Sequence, residues 1–371
     1  MSTLQLEWTP EELLATHKVV EPLVAGGVKC HGGYDDNGQY VSPRTLNRWT
    51  AIENWQQSHR TTFGTDILDI PLDRWPENYP NVAQAKFLVA NGVREPIVST
   101  LTRIGTVEGF GAMIRYSEIP NLQQCFDDDV RGTALTHLDK GMFEAHARDE
   151  AGYGDEGGHK QMWFAARDVA FEDPINEDQT EEILQRMGFS GGGPGGGAPN
   201  PQAIRAALEA QRAHSDIPFA LESLMERMSR LLLIEISAYH VFAWAEEVLS
   251  DTDLVAGEGE AAKLVSHIRS DEGPHVAYLK TTLTEMRDRT FVGESGKRYP
   301  GTKIVGEIWD RAIADSLGAR REQNLQLTLR EVEHALKDTP KAKDILEEFH
   351  SLGSIRPSTD GSFVAAQPAS Y

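Results

Sequence analysis

The chain has 371 residues, 40% of them apolar and 25% charged, which is enough to bury a sizeable core and excludes wholesale disorder. Asp and Glu outnumber Lys and Arg by 57 to 36, giving a net charge of −21, so the surface repels phosphate backbones and argues against nucleic-acid or anionic-membrane partners. Two cysteines, Cys30 and Cys125, are too few for a disulfide framework. The first residues are acidic without the pattern of a secretion signal, and the most apolar stretch, residues 231–245, is interrupted by Glu235 and His240 and too short to span a bilayer. A cytoplasmic protein is expected.

Along the chain, residues 1–95 mix Trp, Pro and Gly without a persistent period and read as short helices and ordered loops packed against the rest of the chain. Pro96 opens a helix carrying Ile97, Leu101, Ile104, Glu108 and Ala112 at helical spacing until Pro120. A second helix starts after residues 127–129, meets a glycine-rich interval at 152–158, and resumes through Met162, Trp163 and Ala166. Residues 188–200 read as a flexible linker or lid, since no strand precedes them and no GK[ST] comes after. A short helix then precedes two long amphipathic ones over roughly 218–249 and 258–289. Further helices are expected over 304–317, 321–336 and 342–350. Alternating β periodicity is almost absent, so the expected class is all-α. The expected organisation is an N-terminal extension over 1–95, a bundle over 96–290, and C-terminal helices with a polar tail over 291–371.

Two pentapeptides share the form D-E-G-x-H, at 155–159 and at 271–275. Glu-x-x-His puts a carboxylate and an imidazole one turn apart on one helix face, converging on a single ion. Two further pairs, Glu331/His334 and Glu347/His350, flank their apolar stripes and are expected on the solvated surface. In the 258–289 helix the apolar stripe runs Leu264, Ile268, Glu272, His275, Leu279, Leu283, so charged residues occupy core positions. Glu235 does the same among Met228, Leu231, Tyr239 and Phe242. A buried carboxylate costs several kcal/mol unless paired or metal-bound. Three such groups converging in a helical core point to a shared divalent cation.

By symmetry the first half needs a glutamate upstream of Glu156 and His159. Glu108, mid-helix on the apolar face, is preferred on burial grounds to Glu118, which lies beside Pro120. Glu144 has Ala147 where a histidine is needed. Glu150, in H-A-R-D-E, echoes the H-I-R-S-D-E of 267–272 and rivals Glu156. The expected metal ligands are Glu108, Glu156, His159, Glu235, Glu272 and His275.

One Glu per half followed by D-E-x-x-H resembles the ferritin-like di-iron carboxylate proteins, over roughly residues 96–290. The resemblance implies an all-α fold with a ferritin-like four-helix bundle core and additional N- and C-terminal helices. The helices outside the bundle look more like those of oxygen-activating hydroxylases, N-oxygenases and oxidases than of storage ferritins. By that resemblance the cofactor is two iron ions, with manganese or a mixed pair as alternatives. The partners are O2, a small organic substrate and an electron-donor protein, in a homodimer. Tyr239, one turn from Glu235, is the candidate catalytic side chain, set against a packing role. His267 is a candidate further ligand or neighbour, and His240 and Trp163 read as packing or as neighbours of the ligands rather than as catalytic. His137 and His146 receive no role. The glycines and Pro274 inside the motifs are expected to distort their helices. Two other readings stay open: a metal-oxidising or metal-storage protein, and a helical interaction protein with a salt-bridged core.

Overall fold

Two long helices run through the centre of the molecule, and their apolar faces explain the rest of its arrangement. The computed structural model describes residues 4–69, 75–171, 175–187, 205–206, 209–210, 212–357 and 363–365. The expected lid at 188–200 and most of the short helix after it lie outside these residues.

Helix α1 (Pro10–Leu13) is closed by a Thr9 capping box. It leads to an antiparallel sheet of β1 (Glu21–Ala25), β2 (Val28–Tyr34) and β3 (Tyr40–Val41). This sheet departs from the expectation of helices and loops alone. Its buried positions do not alternate strictly, so the period-2 signal is missing from the sequence. Helices α2 (Arg48–Phe63), α3 (Val82–Ala90), α4 (Glu95–Gly111) and α5 (Leu122–Cys125) come after it. Next come α6 (Phe143–Ala151), α7 (His159–Ala170) and α8 (Glu177–Arg186). The long pair is α9 (Phe219–Leu249) and α10 (Glu260–Arg287). A hairpin of β4 (Thr290–Val292) and β5 (Arg298–Pro300) leads to α11 (Gly301–Ala314), a π-helical turn at Asp315–Ala319, α12 (Arg320–Leu336) and α13 (Ala342–Ser351). A last hairpin pairs β6 (Ile355–Pro357) with β7 (Phe363–Ala365).

The chain is mostly helical, with little sheet. Helix α9 packs along α10, α10 and α4 both pack on α7, and α6 touches α4 and α7. Helix α10 continues through Pro274. No helix among the described residues is long and apolar enough to cross a membrane. Cys30 and Cys125 are buried free thiols.

Two large apolar clusters fill the interior, and the long helices pass from one to the other. Leu231, Leu232 and Ile236 of α9 and Tyr278, Leu279 and Leu283 of α10 belong to the first. Phe242, Ala245 and Val248 of α9 and Leu264, Val265 and Ile268 of α10 belong to the second. Glu235, Glu272 and His275 lie on these helices at the junction. The polar centre therefore has hydrocarbon on both sides.

Candidate metal centre

The chain is built to bring four separated carboxylates to that junction. Glu108 sits one turn before the end of α4, Glu150 at the end of α6, Glu235 in mid-α9 and Glu272 in mid-α10, all buried. Between Glu150 and the first-half histidine the helix is broken. Helix α6 stops at Ala151, residues 152–158 make a hairpin closed by Tyr153 and Glu156, and α7 begins at His159. β2 holds this hairpin, with the Gly157 amide donating to the Lys29 carbonyl at 2.8 Å and the His31 amide to the Gly157 carbonyl at 3.0 Å. A Cβ on Gly158 would lie 2.6 Å from the Asp149 carbonyl oxygen and 2.7 Å from that of Glu150, so only glycine lets the chain double back and put His159 beside Glu150. Gly158→Ala is therefore expected to cost about 1–3 kcal/mol in denaturant unfolding, because rigid backbone must move. An unchanged midpoint would contradict this close approach.

Two groups of four potential ligands result, and Glu150 belongs to both: Glu108, Glu150, His159 and Glu272 in one, and His146, Glu150, Glu235 and His275 in the other. His159 Nδ1 is 2.9 Å from Glu272 Oε1, 3.3 Å from Glu150 Oε1 and 3.6 Å from Glu108 Oε2. His275 Nδ1 is 2.9 Å from Glu272 Oε2 and 3.4 Å from Glu150 Oε1. His146 Nε2 is 3.4 Å from Glu235 Oε1 and 3.7 Å from Glu150 Oε1. Yet His146 Nε2, Glu150 Oε2, His159 Nδ1 and Glu272 Oε1 make no hydrogen bond. Buried polar atoms are normally paired. These crowd together around two points without hydrogen-bond geometry, as ligands around cations do.

Two of the histidines, His275 and His159, are backed by the aspartate that precedes the other half's glutamate. His275 Nε2 is 3.0 Å from Asp149 Oδ2, and Asp149 also accepts from Arg48 Nη1 at 2.9 Å and Arg44 Nε at 2.7 Å. His159 Nε2 is 3.6 Å from Asp271 Oδ2, which also meets His31 Nε2 and the Tyr40 hydroxyl, both at 2.9 Å. His31, His159 and Asp271 form a third group of metal-ligating side chains, but it shares His159 with the first. Carboxylates behind histidine ligands fix the ring and its tautomer. His146 stacks on His275, ring centroids 3.9 Å apart, and its Nδ1 is 3.3 Å from the Tyr278 hydroxyl.

The electrostatics result from burial and crowding. Burial, then the Glu150 charge, pushes the Glu108 carboxyl up to about 8. Burial, with the Glu272 and Glu150 charges, raises Glu235 well above the carboxylate range. Burial also opposes ionisation of Glu272, but His159 and His275 outweigh it and hold that group well below its ordinary value. Burial disfavours charge on His159 and His275, and the surrounding carboxylates override it and raise both. Burial and crowding thus favour the protonated forms of Glu108, Glu235, His159 and His275 in the absence of a cation. Among the described residues, no Lys or Arg is ion-paired with Glu108, Glu150, Glu235 or Glu272, whose ion-pair partners are histidines alone.

Of the residues expected from sequence, Glu108, His159, Glu235, Glu272 and His275 meet in this cluster, and Glu156 does not. Glu156 lies in the hairpin with its side chain 37% exposed, 3.8 Å from Lys29 Nζ, and Glu150 takes the corresponding position. Glu118 is exposed, and Glu144 pairs with Arg148 and Arg115. Tyr239 is 41% exposed with its ring 5.5 Å from Arg269, outside the cluster of buried carboxylates and imidazoles. His267 stacks on Tyr40 and bonds the Tyr34 hydroxyl instead of joining the ligands. Trp163 packs on Phe242, and His240 stacks on Trp75. Glu331, expected at the surface, is buried against Arg186 and Ser99. Sequence reasoning missed His146, Asp149, Asp271, Arg44 and Arg48; the only signal was the repeated H-x-x-D-E/H-x-x-x-D-E.

A cavity of about 780 Å³ reaches Glu108 between α4, α9 and α12, with Ile104, Val107, Leu233, Ala238, Phe242 and Leu325 among its walls. Comparisons with protein-family models, curated proteins and solved structures returned no match to this chain.

Proposed function

We propose that this chain is a dioxygen-activating oxidoreductase whose ferritin-like four-helix core binds two transition-metal ions, iron first and manganese as the alternative, and that it acts on a small organic molecule. The observation that carries the reading is the pair of four-ligand groups sharing Glu150, with ligand atoms that make no hydrogen bond and, among the described residues, no Lys or Arg ion-paired to the glutamates. The donor set is oxygen-rich with imidazole and no thiolate, which suits iron or manganese and disfavours structural zinc. Four glutamates match the charge of two divalent cations. When bound, such a pair supplies two-electron reduction of dioxygen.

The chain's own residues have separable tasks. Glu108, Glu150, His159 and Glu272 would hold one ion, and His146, Glu150, Glu235 and His275 the other. Asp149 and Asp271 orient the histidines. The apolar clusters on either side exclude water. The cavity at Glu108 supports an organic substrate over a storage role, and the missing Lys and Arg pairing argues against a purely salt-bridged core. Metal analysis of purified protein tests the reading. The expected content is about two ions per chain, the number for which the two groups have ligands, falling sharply in Glu235→Ala and His275→Ala. A wild-type chain with no affinity for iron or manganese would refute it.

Proton release should accompany metal binding, because ligands must be deprotonated. Glu108 carries a proton up to about pH 8 in the metal-free protein. Apparent affinity for ferrous iron is therefore expected to rise with pH towards about 8, and Glu108→Gln to flatten that slope. A pH-independent wild-type affinity between 6 and 8 would contradict the assignment of Glu108.

A further inference from the structure

We propose that the cavity reaching Glu108 takes a molecule with an apolar body and one terminal anionic group, held by Arg103 and Arg321. That this molecule is the substrate rests on the metal-centre reading; its binding does not.

In a chain of net charge −21, four arginines line this one cavity: Arg103, Arg230, Arg320 and Arg321. Asp315 bridges two of them, 3.0 Å from Arg230 Nη1 and 2.8 Å from Arg320 Nε. Neither of the other two is ion-paired with a carboxylate among the described residues, although the Glu331 charge acts on Arg103 from a distance. Arg103 Nη1 donates to the neutral side chain of Asn324 at 3.1 Å, and Arg321 has no hydrogen-bond or ion-pair partner among the described residues. Of the other two acids on the cavity wall, Glu77 is engaged by Asn81 and Ser354, and Glu108 faces His159. Two half-buried guanidiniums thus line this cavity without an ion-pair partner among the described residues, and a guanidinium fork matches a carboxylate or phosphate by paired hydrogen bonds.

Apolar side chains make up much of the remaining wall, and Glu108 is the one ligand candidate that lines the cavity. Arg103 and Glu108 share α4 five residues apart, about 7.5 Å along the helix axis. An anion on the arginines therefore leaves a body on the order of six to ten carbon atoms to extend towards Glu108. Ile104, Val107, Leu233 and Phe242 would surround that body, at the usual gain from burying apolar surface.

Titration calorimetry on metal-free protein tests this with straight-chain and aryl-alkyl carboxylic acids of that size, their primary amides, and alkyl phosphates of equal length. Wild-type protein is expected to bind at least one anionic series tenfold or more tightly than the matched amides. Tighter binding of acids identifies a carboxylate ligand, and tighter binding of phosphates a phosphomonoester. Arg321→Gln, at a half-exposed position tolerant of change, should remove the advantage, and Arg321→Lys should restore part of it. Arg103→Gln should behave like Arg321→Gln where circular dichroism shows it folded. The proposal is overturned if no anion in the panel binds, if amides bind as well as anions, or if Arg321→Gln leaves anion binding unchanged. Iron content separates the two readings. Arg321→Gln should keep the wild-type content, whereas Glu235→Ala should lose iron and still bind the anion.

Discussion

Glu150→Gln is expected to strip the protein of both metal ions, while Glu156→Gln, six residues further on, leaves metal content at the wild-type level. Glu150 is the one side chain common to both four-ligand groups, with Oε1 within 3.7 Å of His146, His159 and His275. Replacing it by an amide removes a charge from both groups at once and turns N–H donors towards the positions of the cations. Changes even to the groups behind metal ligands cost about 10–100-fold in affinity, so loss of a shared ligand should exceed that. Glu156 makes only an exposed contact with Lys29, of a kind worth about 0–1 kcal/mol. Iron analysis of the two variants after identical loading decides the matter. Equal retention, or loss in Glu156→Gln alone, would restore the assignment that the D-E-G-x-H spacing suggests.

Asp149→Asn is expected to be the most destabilising conservative change near the site, costing about 3–5 kcal/mol in urea unfolding. Arg44, Arg48 and His275 converge on this one buried carboxylate. Removing its charge strands two guanidiniums away from water. Burial opposes ionisation of Asp149, but Arg44 and then Arg48 override it and hold the group well below its ordinary value. A depressed carboxyl contributes stability that is present above the ordinary Asp range near 4 and lost as pH falls through the folded value. The difference between wild type and Asp149→Asn should accordingly be full at pH 7 and shrink on acidification below about 4. Asp271→Asn provides the comparison. Its partners are His31, Tyr40 and His159, so no guanidinium is stranded and the loss should be about 1–3 kcal/mol. Equal losses in the two variants would contradict the distinction between these carboxylates.

Much of the helical layout was legible because the long helices obey simple periodicity. The stripe through Leu264, Ile268, Leu279 and Leu283 is unambiguous, and so is the intrusion of Glu272 and His275 into it. The sheet at β1–β3 was not legible, since its strands are short and irregularly buried. The first half of the site failed for a different reason. Local spacing favours Glu156 with His159, whereas the hairpin at 152–158 brings His159 next to a glutamate nine residues earlier, and only tertiary pairing with β2 makes that geometry. His146 was invisible because the second half has no histidine at its equivalent position, where Ile268 stands. The arginines behind Asp149 come from the N-terminal segment, and no local pattern connects them to the site.

Anomalous X-ray scattering at the iron edge, from crystals grown with ferrous iron under anaerobic conditions, tests the central claim most directly. The expected result is two peaks about 3.5–4 Å apart, one among Glu108, Glu150, His159 and Glu272 and the other among His146, Glu150, Glu235 and His275. No peak in that buried cluster, or iron bound only at surface carboxylates, would contradict it.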